Sequence, residues 1–390
     1  MPSQDFDPVS QDSHAQFDHD QQSREPTPAA TDPRTVVIAP DSFKGSVSAQ
    51  DAAAAIAAGW RRIRPHDQIL NRPLADGGEG TVAAVAAART DGVLHEVGEL
   101  LGPDGRSVIG HWLQLGGDTA VIEMASVSGL PLMEYLDPLG AGTYGLGQLI
   151  GAALDAGMRT VIVGAGGSAS TDGGAGALSA LGLELLDADG KPVPPGGGGL
   201  AVLAEIRGEA RRPEHLIMLS DVEAPLLGVH GAAVVFGPQK GADDGQVALL
   251  DAALARFAGL LGGPTDRPGM GAAGGLGYGL VAGLGAEIRP GAPYLAELAG
   301  LHASLPQADL VITGEGRFDR TSLTGKVVGH VLQQAAAAEV TALVVAGQVA
   351  LQLEGVPAIG LTELAGTAEA AIAEPERWLS EAGARAATLL

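Results

Sequence analysis

The first apolar run in the chain is Thr35-Val-Val-Ile-Ala39, short and continuous, as in a strand covered on both faces. Pro40-Asp-Ser-Phe-Lys-Gly45 breaks it with polar and turn residues. Ser48-Ala-Gln-Asp51 then has capping-box spacing, with Asp in place of the usual Glu or Gln, ahead of an Ala-rich helix reaching about Arg62. Strand, polar loop and helix make the first half of a βαβ unit. Ile69–Leu74 reads as a second strand, ending in Ala75-Asp-Gly-Gly-Glu-Gly80 before another helix of Ala and Val.

From Val93 the rhythm changes. Val93–Leu101, Val108–Leu115 and Thr119–Ala125 read as strands joined by Pro103-Asp-Gly105 and Gly116-Gly-Asp118 turns, a meander that marks a domain border. Alternation then returns, with a helix Thr143–Ala156, a strand Thr160–Gly164, a loop through Gly174 and a further helix. Asp187–Gly190 reads as a hairpin turn and Pro194–Gly199 as a flexible loop. His215–Leu219 is a buried strand and Gln246–Leu261 an amphipathic helix. Ala308–Thr313, Ala342–Ala346 and Ala358–Leu361 are late strands, Lys326–Ala338 is a helix, and Thr367–Leu390 forms two Ala-rich helices. The pattern is α/β, and in open parallel sheets ligands bind beyond the carboxyl ends of the strands.

Composition limits the chemistry. The 390 residues include no Cys, which excludes disulfides, thiolate nucleophiles and Cys-ligated metal. The net charge is −23, and residues 1–33 hold only a minor share of it, so a nucleic-acid-binding surface is not expected. Those 33 residues are polar and nearly free of aliphatic side chains, which predicts a disordered acidic extension without a secretory signal. The longest uncharged run, Pro268–Ala286, has eight glycines and predicts a Gly-rich loop entering a buried helix rather than a membrane span. A cytoplasmic location is the expectation.

Lysine usage is the sharpest clue. There are four: Lys191 lies in a predicted turn, whereas Lys44, Lys240 and Lys326 each stand beside glycine in a polar loop. An ammonium next to backbone N–H groups suits phosphate or carboxylate oxygens. Asp41 and Ser42 end the first strand and precede a helix, where the dipole favours an anion; they serve equally to organise the turn. Asp76 and Glu79 repel phosphates, so they ligate Mg²⁺, bind a hydroxyl or take a proton, or else Asp76 shapes the turn and Glu79 is a first-turn helix charge. Gly164–Gly174 offers an anion-binding nest. It meets only the permissive form of a dinucleotide fingerprint, and no Walker A sequence occurs. Glu315 and Asp319 suit Mg²⁺ and Arg317 with Lys326 suit phosphate, with an internal salt bridge as the competing account. Asp221 is another strand-end acid, no G-x-S-x-G elbow occurs, and the nine histidines lack metal-ligand spacing.

Six motifs carry a resemblance: Val36–Ser46, Leu74–Thr81, Gly167–Gly174, Phe236–Ala242, Gly271–Gly277 and Asp309–Arg317. Together, from about Thr35 to the C-terminus, they resemble the type 1 glycerate kinases. The resemblance implies ATP-dependent phosphorylation of D-glycerate, usually at the 2-hydroxyl, giving 2-phosphoglycerate and ADP. It also implies a Rossmann- or flavodoxin-like parallel-sheet domain with a second mixed α/β domain inserted and the active site between them. The expected boundaries are 34–88 with 287–390 for the first and 89–286 for the second. On this reading Asp76, Lys44, Asp41 and Lys240 are catalytic, with Asp76 the first choice for base. Ser42, Gly77, Gly78, Glu79, Ser168, Ser170, Thr171, Asp172, Gly173, Gly314, Arg317 and Lys326 bind glycerate or ATP, and Asp221, Glu315 and Asp319 hold Mg²⁺. Two departures are visible: Ala224 stands where the family has Asn, and the stretch after Gly347 is short. An NAD(P)-dependent hydroxy-acid dehydrogenase and a non-catalytic small-acid binding protein are the rival readings. Monomer and homodimer are both open, and no membrane partner is expected.

Overall fold

The computed structural model describes residues 32–43 and 45–389; Lys44 and most of the expected N-terminal extension lie outside the described residues. In chain order the strands are β1 (Thr35–Ile38), β2 (Gln68–Asn71), β3 (Val93–Leu101), β4 (Ser107–Leu115), β5 (Thr119–Glu123), β6 (Thr160–Gly164) and β7 (Glu184–Leu186). They continue with β8 (Glu205–Arg207), β9 (His215–Leu219), β10 (Glu287–Arg289), β11 (Leu310–Phe318), β12 (Thr341–Val349) and β13 (Ala358–Gly360).

One sheet has the order β13-β12-β11-β1-β2 and is parallel throughout. Counting only its own five strands, this is the flavodoxin-like order 2-1-3-4-5. Val36, Val37 and Ile38 are fully buried, as a central strand covered on both faces demands. The second sheet, β10-β9-β6-β5-β4-β3, is parallel from β10 to β5 and antiparallel through the β3–β4–β5 meander. All its strands fall between β2 and β11 in sequence, from Val93 to Arg289.

The helices follow the pattern closely. Ser48 caps Ala49–Ile63 by accepting the Asp51 N–H, while the Asp51 carboxylate takes the Ser48 hydroxyl rather than completing the reciprocal box. Asp243 and Gln246 form a full capping box on Asp244–Leu261. In the Gly-rich run, Ala273, Gly274 and Gly275 have left-handed backbone, so a regular helix begins only after them. No helix among the described residues is long and apolar enough to cross a membrane.

Two expectations need correction. The glycines of Pro194–Gly199 do not make a loose loop: Gly197–Val202 is a 3-10 helix, and a Cβ on Gly199 would lie 1.9 Å from the Pro194 carbonyl oxygen. Those glycines permit close packing. The strand expected to stop at Thr313 runs to Phe318, because β12 extends equally far and pairs Glu315 with Ala346 and Arg317 with Gln348. Gly314, which suggested a loop, lets the two strands approach: a Cβ there would meet the Val345 oxygen at 2.1 Å.

The two sheets are joined through one crowded point. Helix Gly291–Leu298 packs Ala292 and Ala296 among residues of the parallel sheet, while Leu295 packs among residues of the mixed sheet. At its start, a Cβ on Gly291 would lie 1.9 Å from the Asp76 carbonyl oxygen. A Cβ on Gly166 would lie 2.5 Å from the Gly78 Cα, where the Gly166 N–H donates to the Gly77 oxygen at 3.0 Å. Segment 76–78 is thereby laid across the end of β6. Gly291→Ala should therefore destabilise the fold by about 1–3 kcal/mol, read as a lowered urea midpoint. Gly259→Ala, at an open helical position with nothing within 4 Å, should leave it unchanged or raise it slightly. Equal midpoints for Gly291→Ala and the wild type would contradict the crowding.

Candidate active site

Most of the site lies at or beyond the carboxyl ends of strands. Asp41 and Ser42 follow β1, Asp76–Glu79 follow β2, Glu315 and Arg317 sit in the last part of β11, Gly166–Ser168 follow β6, and Ser220–Asp221 follow β9. β1 and β11 are neighbours at the point where the parallel sheet reverses its order, the usual ligand position in such sheets.

Three hollows open there. The first, about 500 Å³, is lined by Asp76–Glu79, Gly166–Ser168, Ser220, Asp221, Gln239 and Lys240, among others. The second, about 390 Å³, runs along the parallel sheet past Asp41, Ser42, Asp76, Glu315, Arg317 and Lys326. The third, about 550 Å³, lies over Ser42, Gly45, Ser46, Asp76, Gly78 and Glu79. Asp76 lines all three. The Gly78 N–H donates to its Oδ1 at 3.0 Å, a turn that fixes the carboxylate where the hollows meet.

Lys240 is the most constrained of the cations. It sits on a 3-10 turn, Pro238–Lys240, closed by Gly241 in left-handed conformation, and is 2 % exposed. Its Nζ donates to the Ser168 hydroxyl at 3.2 Å and to the Ser170 carbonyl. Burial lowers its pKa to about 7, although Asp172 pulls the other way. An ammonium so stripped of water binds an entering carboxylate or phosphate strongly, since the anion restores the solvation that burial removed. Lys326 lines the second hollow at the start of helix Val327–Ala337, with its Nζ 3.4 Å from the Thr321 hydroxyl.

Asp221 faces Asp76 electrostatically. Its surface still reaches solvent, yet surrounding protein strips enough hydration to raise its pKa to about 6, assisted by the Asp76 charge and opposed by the Gly291 N–H at 3.1 Å. Glu123, which the sequence reading missed, ends β5 beneath the 76–80 loop and is 8 % exposed. Its carboxylate accepts the Val82 N–H at 3.2 Å at the start of helix Thr81–Ala88, whose Gly80 cap has no side chain. Burial raises its pKa, and the backbone N–H groups of Gly80 and Val82 resist that rise. The signal that singled out Asp221, an acid at a strand end, fits Glu123 as well. The strand was expected to run on to Ala125, which hid that position.

Several expected site residues have other work. Asp172 Oδ2 accepts the Thr143 N–H and hydroxyl at 2.9 and 2.7 Å and the Gly176 N–H at 3.1 Å, while Oδ1 takes the Gly174 N–H. It is 1 % exposed and clamps the loop from inside. Ser170, Thr171 and Gly173 are buried with it and do not line the three hollows, nor does Gly314, which is spent on strand contact. Asp319 caps the 3-10 helix Arg320–Leu323 and pairs with Arg317 at 3.1 Å, the competing account of that loop. Thr321 holds its carboxyl below the usual range. Among the described residues no three His, Asp or Glu side chains gather as a metal-holding group, so Asp221, Glu315 and Asp319 do not form one. Ala224 uses its carbonyl to hold the Gly271 N–H at 2.8 Å and lies outside the hollows.

Among the described residues, this geometry sets three cations, five acids and small-residue loops around hollows that share one carboxylate, an arrangement suited to positioning small charged ligands. The model of the glycerate kinase family matches residues 36–390. The chain belongs to the glycerate kinase family. A glycerate kinase of Halalkalibacterium halodurans is 43 % identical over 335 residues, 83 % of this chain and 87 % of the relative. A glycerate 2-kinase of Escherichia coli is 44 % identical over 304 residues, 75 % and 79 % of the two chains. The crystal structure of a candidate glycerate kinase 2 from Salmonella typhimurium aligns with a TM-score of 0.80 at 40 % identity, covering 92 % of this chain and 98 % of that one. Family membership makes the chain a kinase.

In this family member the Lys240 titration has a measurable consequence. The folded state releases the proton near pH 7, whereas the unfolded chain keeps it to the ordinary lysine value of 10.5. Between those values the unfolded state binds more protons, so stability rises with pH. Urea unfolding should show the wild type gaining on Lys240→Met from pH 7 to 9, by at most about 1.4 kcal/mol per pH unit. A difference that stays flat or falls would refute the buried-ammonium assignment.

Proposed function

We propose that this chain transfers the terminal phosphoryl group of ATP to the 2-hydroxyl of D-glycerate, giving 2-phosphoglycerate and ADP. The observation that carries the reading is the convergence of the three hollows on Asp76, with Lys240 on one side and Lys326 on the other. Two anions that repel each other are thereby offered separate cations and a shared meeting point. The name of the Escherichia coli relative, glycerate 2-kinase, supports the 2-position.

In the reaction, the bond between the γ-phosphorus and the β,γ-bridging oxygen breaks and a new one forms to the glycerate hydroxyl oxygen. The electron pair of the old bond stays on ADP. The hydroxyl proton passes to the Asp76 carboxylate and from there to solvent. Lys240 and Ser168 receive the glycerate carboxylate, and Ser42, Lys326 and Lys44 the phosphates, with Asp41 ordering the turn by accepting the Ser42 N–H at 2.7 Å. The Gly77, Gly78, Gly166 and Gly167 backbone lets the reacting groups approach without steric obstruction.

Mg²⁺ fits this donor set. The described residues lining the hollows include five acids, Asp41, Asp76, Glu79, Asp221 and Glu315, against Lys240, Arg317 and Lys326. A polyphosphate entering that field needs further positive charge, and Mg²⁺ is held by one or two carboxylates together with substrate oxygens and water. Glu315 on the second hollow, or Asp221 on the first, would offer it a carboxylate. When bound, the ion neutralises charge on the phosphates. The strand sets also support two units, 34–88 with the C-terminal part and the intervening residues to about 289. A cytoplasmic enzyme needing no membrane or nucleic acid fits the acidic composition.

The test is ADP release measured over a panel of small hydroxy acids, with phosphorus NMR of the product. D-glycerate should be the preferred acceptor, and the product phosphorus should couple to a single proton, as at a secondary carbon. Asp76→Asn should lower kcat by about a hundredfold or more with little change in either KM. A product phosphorylated at the 3-hydroxyl, or undiminished turnover in Asp76→Asn, would remove the corresponding part of the proposal.

A further inference from the structure

The second hollow has two unlike walls. The charged one comes from the strand ends and the start of helix Val327–Ala337 and carries Asp41, Glu315, Arg317 and Lys326. The opposite one comes from the C-terminal segment and is apolar: Leu361, Ala368, Ala371, Ile372 and Pro375. Ile372 is 63 % exposed, among the most exposed large aliphatic side chains of the described chain, and it borders the cavity instead of the core. Continuous with Leu361, Ala368, Ala371 and Pro375 on the same hollow, it forms part of an apolar lining that suits a flat apolar ligand. Gln348 and Thr362 stand on the same hollow and bring polar groups, with the Thr362 hydroxyl tied to the Gly347 oxygen at 2.8 Å.

The first hollow differs. Its one cation among the described residues is the buried Lys240 ammonium, 3.2 Å from the Ser168 hydroxyl, and with Asp76, Glu79 and Asp221 also on its lining it suits a single small carboxylate and repels a polyphosphate. A nucleotide is itself two-ended, with a flat base at one end and a polyphosphate at the other, and the second hollow repeats that division. We infer that the nucleoside of the phosphoryl donor is recognised on the C-terminal shelf, with Ile372 as the face against the base, leaving the Lys240 hollow to glycerate. This rests on the ATP-dependent reading above and adds to it a direction: the donor enters over the parallel sheet and the acceptor over the mixed sheet. The polyphosphate then runs past Lys326 toward Asp76, which both hollows share.

Two substitutions at exposed helical positions test the shelf, Ile372→Asp and Ala368→Trp, and one on the other hollow, Phe236→Ala, tests the alternative. ADP binding is measured by titration calorimetry without glycerate, and KM values for ATP and glycerate by steady-state ADP release. Ile372→Asp and Ala368→Trp should each weaken ADP binding and raise the KM for ATP by about tenfold or more, with the KM for glycerate nearly unchanged. Phe236→Ala should leave ADP affinity unaltered. Wild-type ADP affinity in both shelf variants, or a loss of ADP affinity in Phe236→Ala, would overturn the assignment. Because calorimetry needs no turnover, a weakened ADP affinity in the shelf variants supports it even if glycerate proves not to be the acceptor.

Discussion

The site depends on a backbone contact that tolerates no side chains. Segment 76–78 crosses the end of β6 with Gly78 against Gly166 and Gly77 against Gly164, and Gly291 closes on the Asp76 carbonyl from the third side. The Gly166 N–H to Gly77 oxygen bond of 3.0 Å holds the crossing in register. Without that contact, the carboxyl ends of the parallel sheet would carry Asp41 and Glu315, those of the mixed sheet would carry Asp221, and nothing would bring them to a common point. Asp76 belongs to the parallel sheet by sequence and to the mixed sheet by contact. Its place in three hollows follows from that double membership.

Electrostatics follows from the same arrangement. A chain of net charge −23 repels anionic substrates at long range, so their binding has to be local. Lys240 supplies one local solution: it is held at 2 % exposure by Ser168 and the Ser170 carbonyl, and its charge is costly until an anion shares the cavity. Asp172 sustains that charge from behind while its oxygens are fully engaged with Thr143, Gly174 and Gly176. A residue read as a ligand contact is thus a brace for the loop and for the ammonium next to it.

Much of this was legible in the chain. Strands Thr160–Gly164 and His215–Leu219 were read to the residue, because continuous apolar runs bounded by Gly, Arg or polar residues leave little choice. The Ser48 helix start follows from local capping chemistry, which needs no tertiary context, whereas the Asp243 box was passed over and that helix was expected only from Gln246. Glycine was the ambiguous letter. At Gly77 and Gly274 it supplies left-handed backbone, but at Gly314 it serves strand-to-strand approach and at Gly199 close packing, and sequence spacing does not distinguish these uses. The acids were ambiguous for the same reason. Asp319 and Asp172 look like Asp76 in sequence, yet local hydrogen bonds occupy Asp319, Thr143 from another helix start occupies Asp172, and the fold leaves Asp76 facing open space.

The central claim is that acceptor and donor occupy separate hollows that meet at one carboxylate. Titration of D-glycerate into the protein saturated with a non-hydrolysable ATP analogue tests it most directly. Separate hollows require one glycerate to bind per chain in the presence of the analogue. Mutual exclusion of the two ligands would contradict it and would mean that a single pocket serves both.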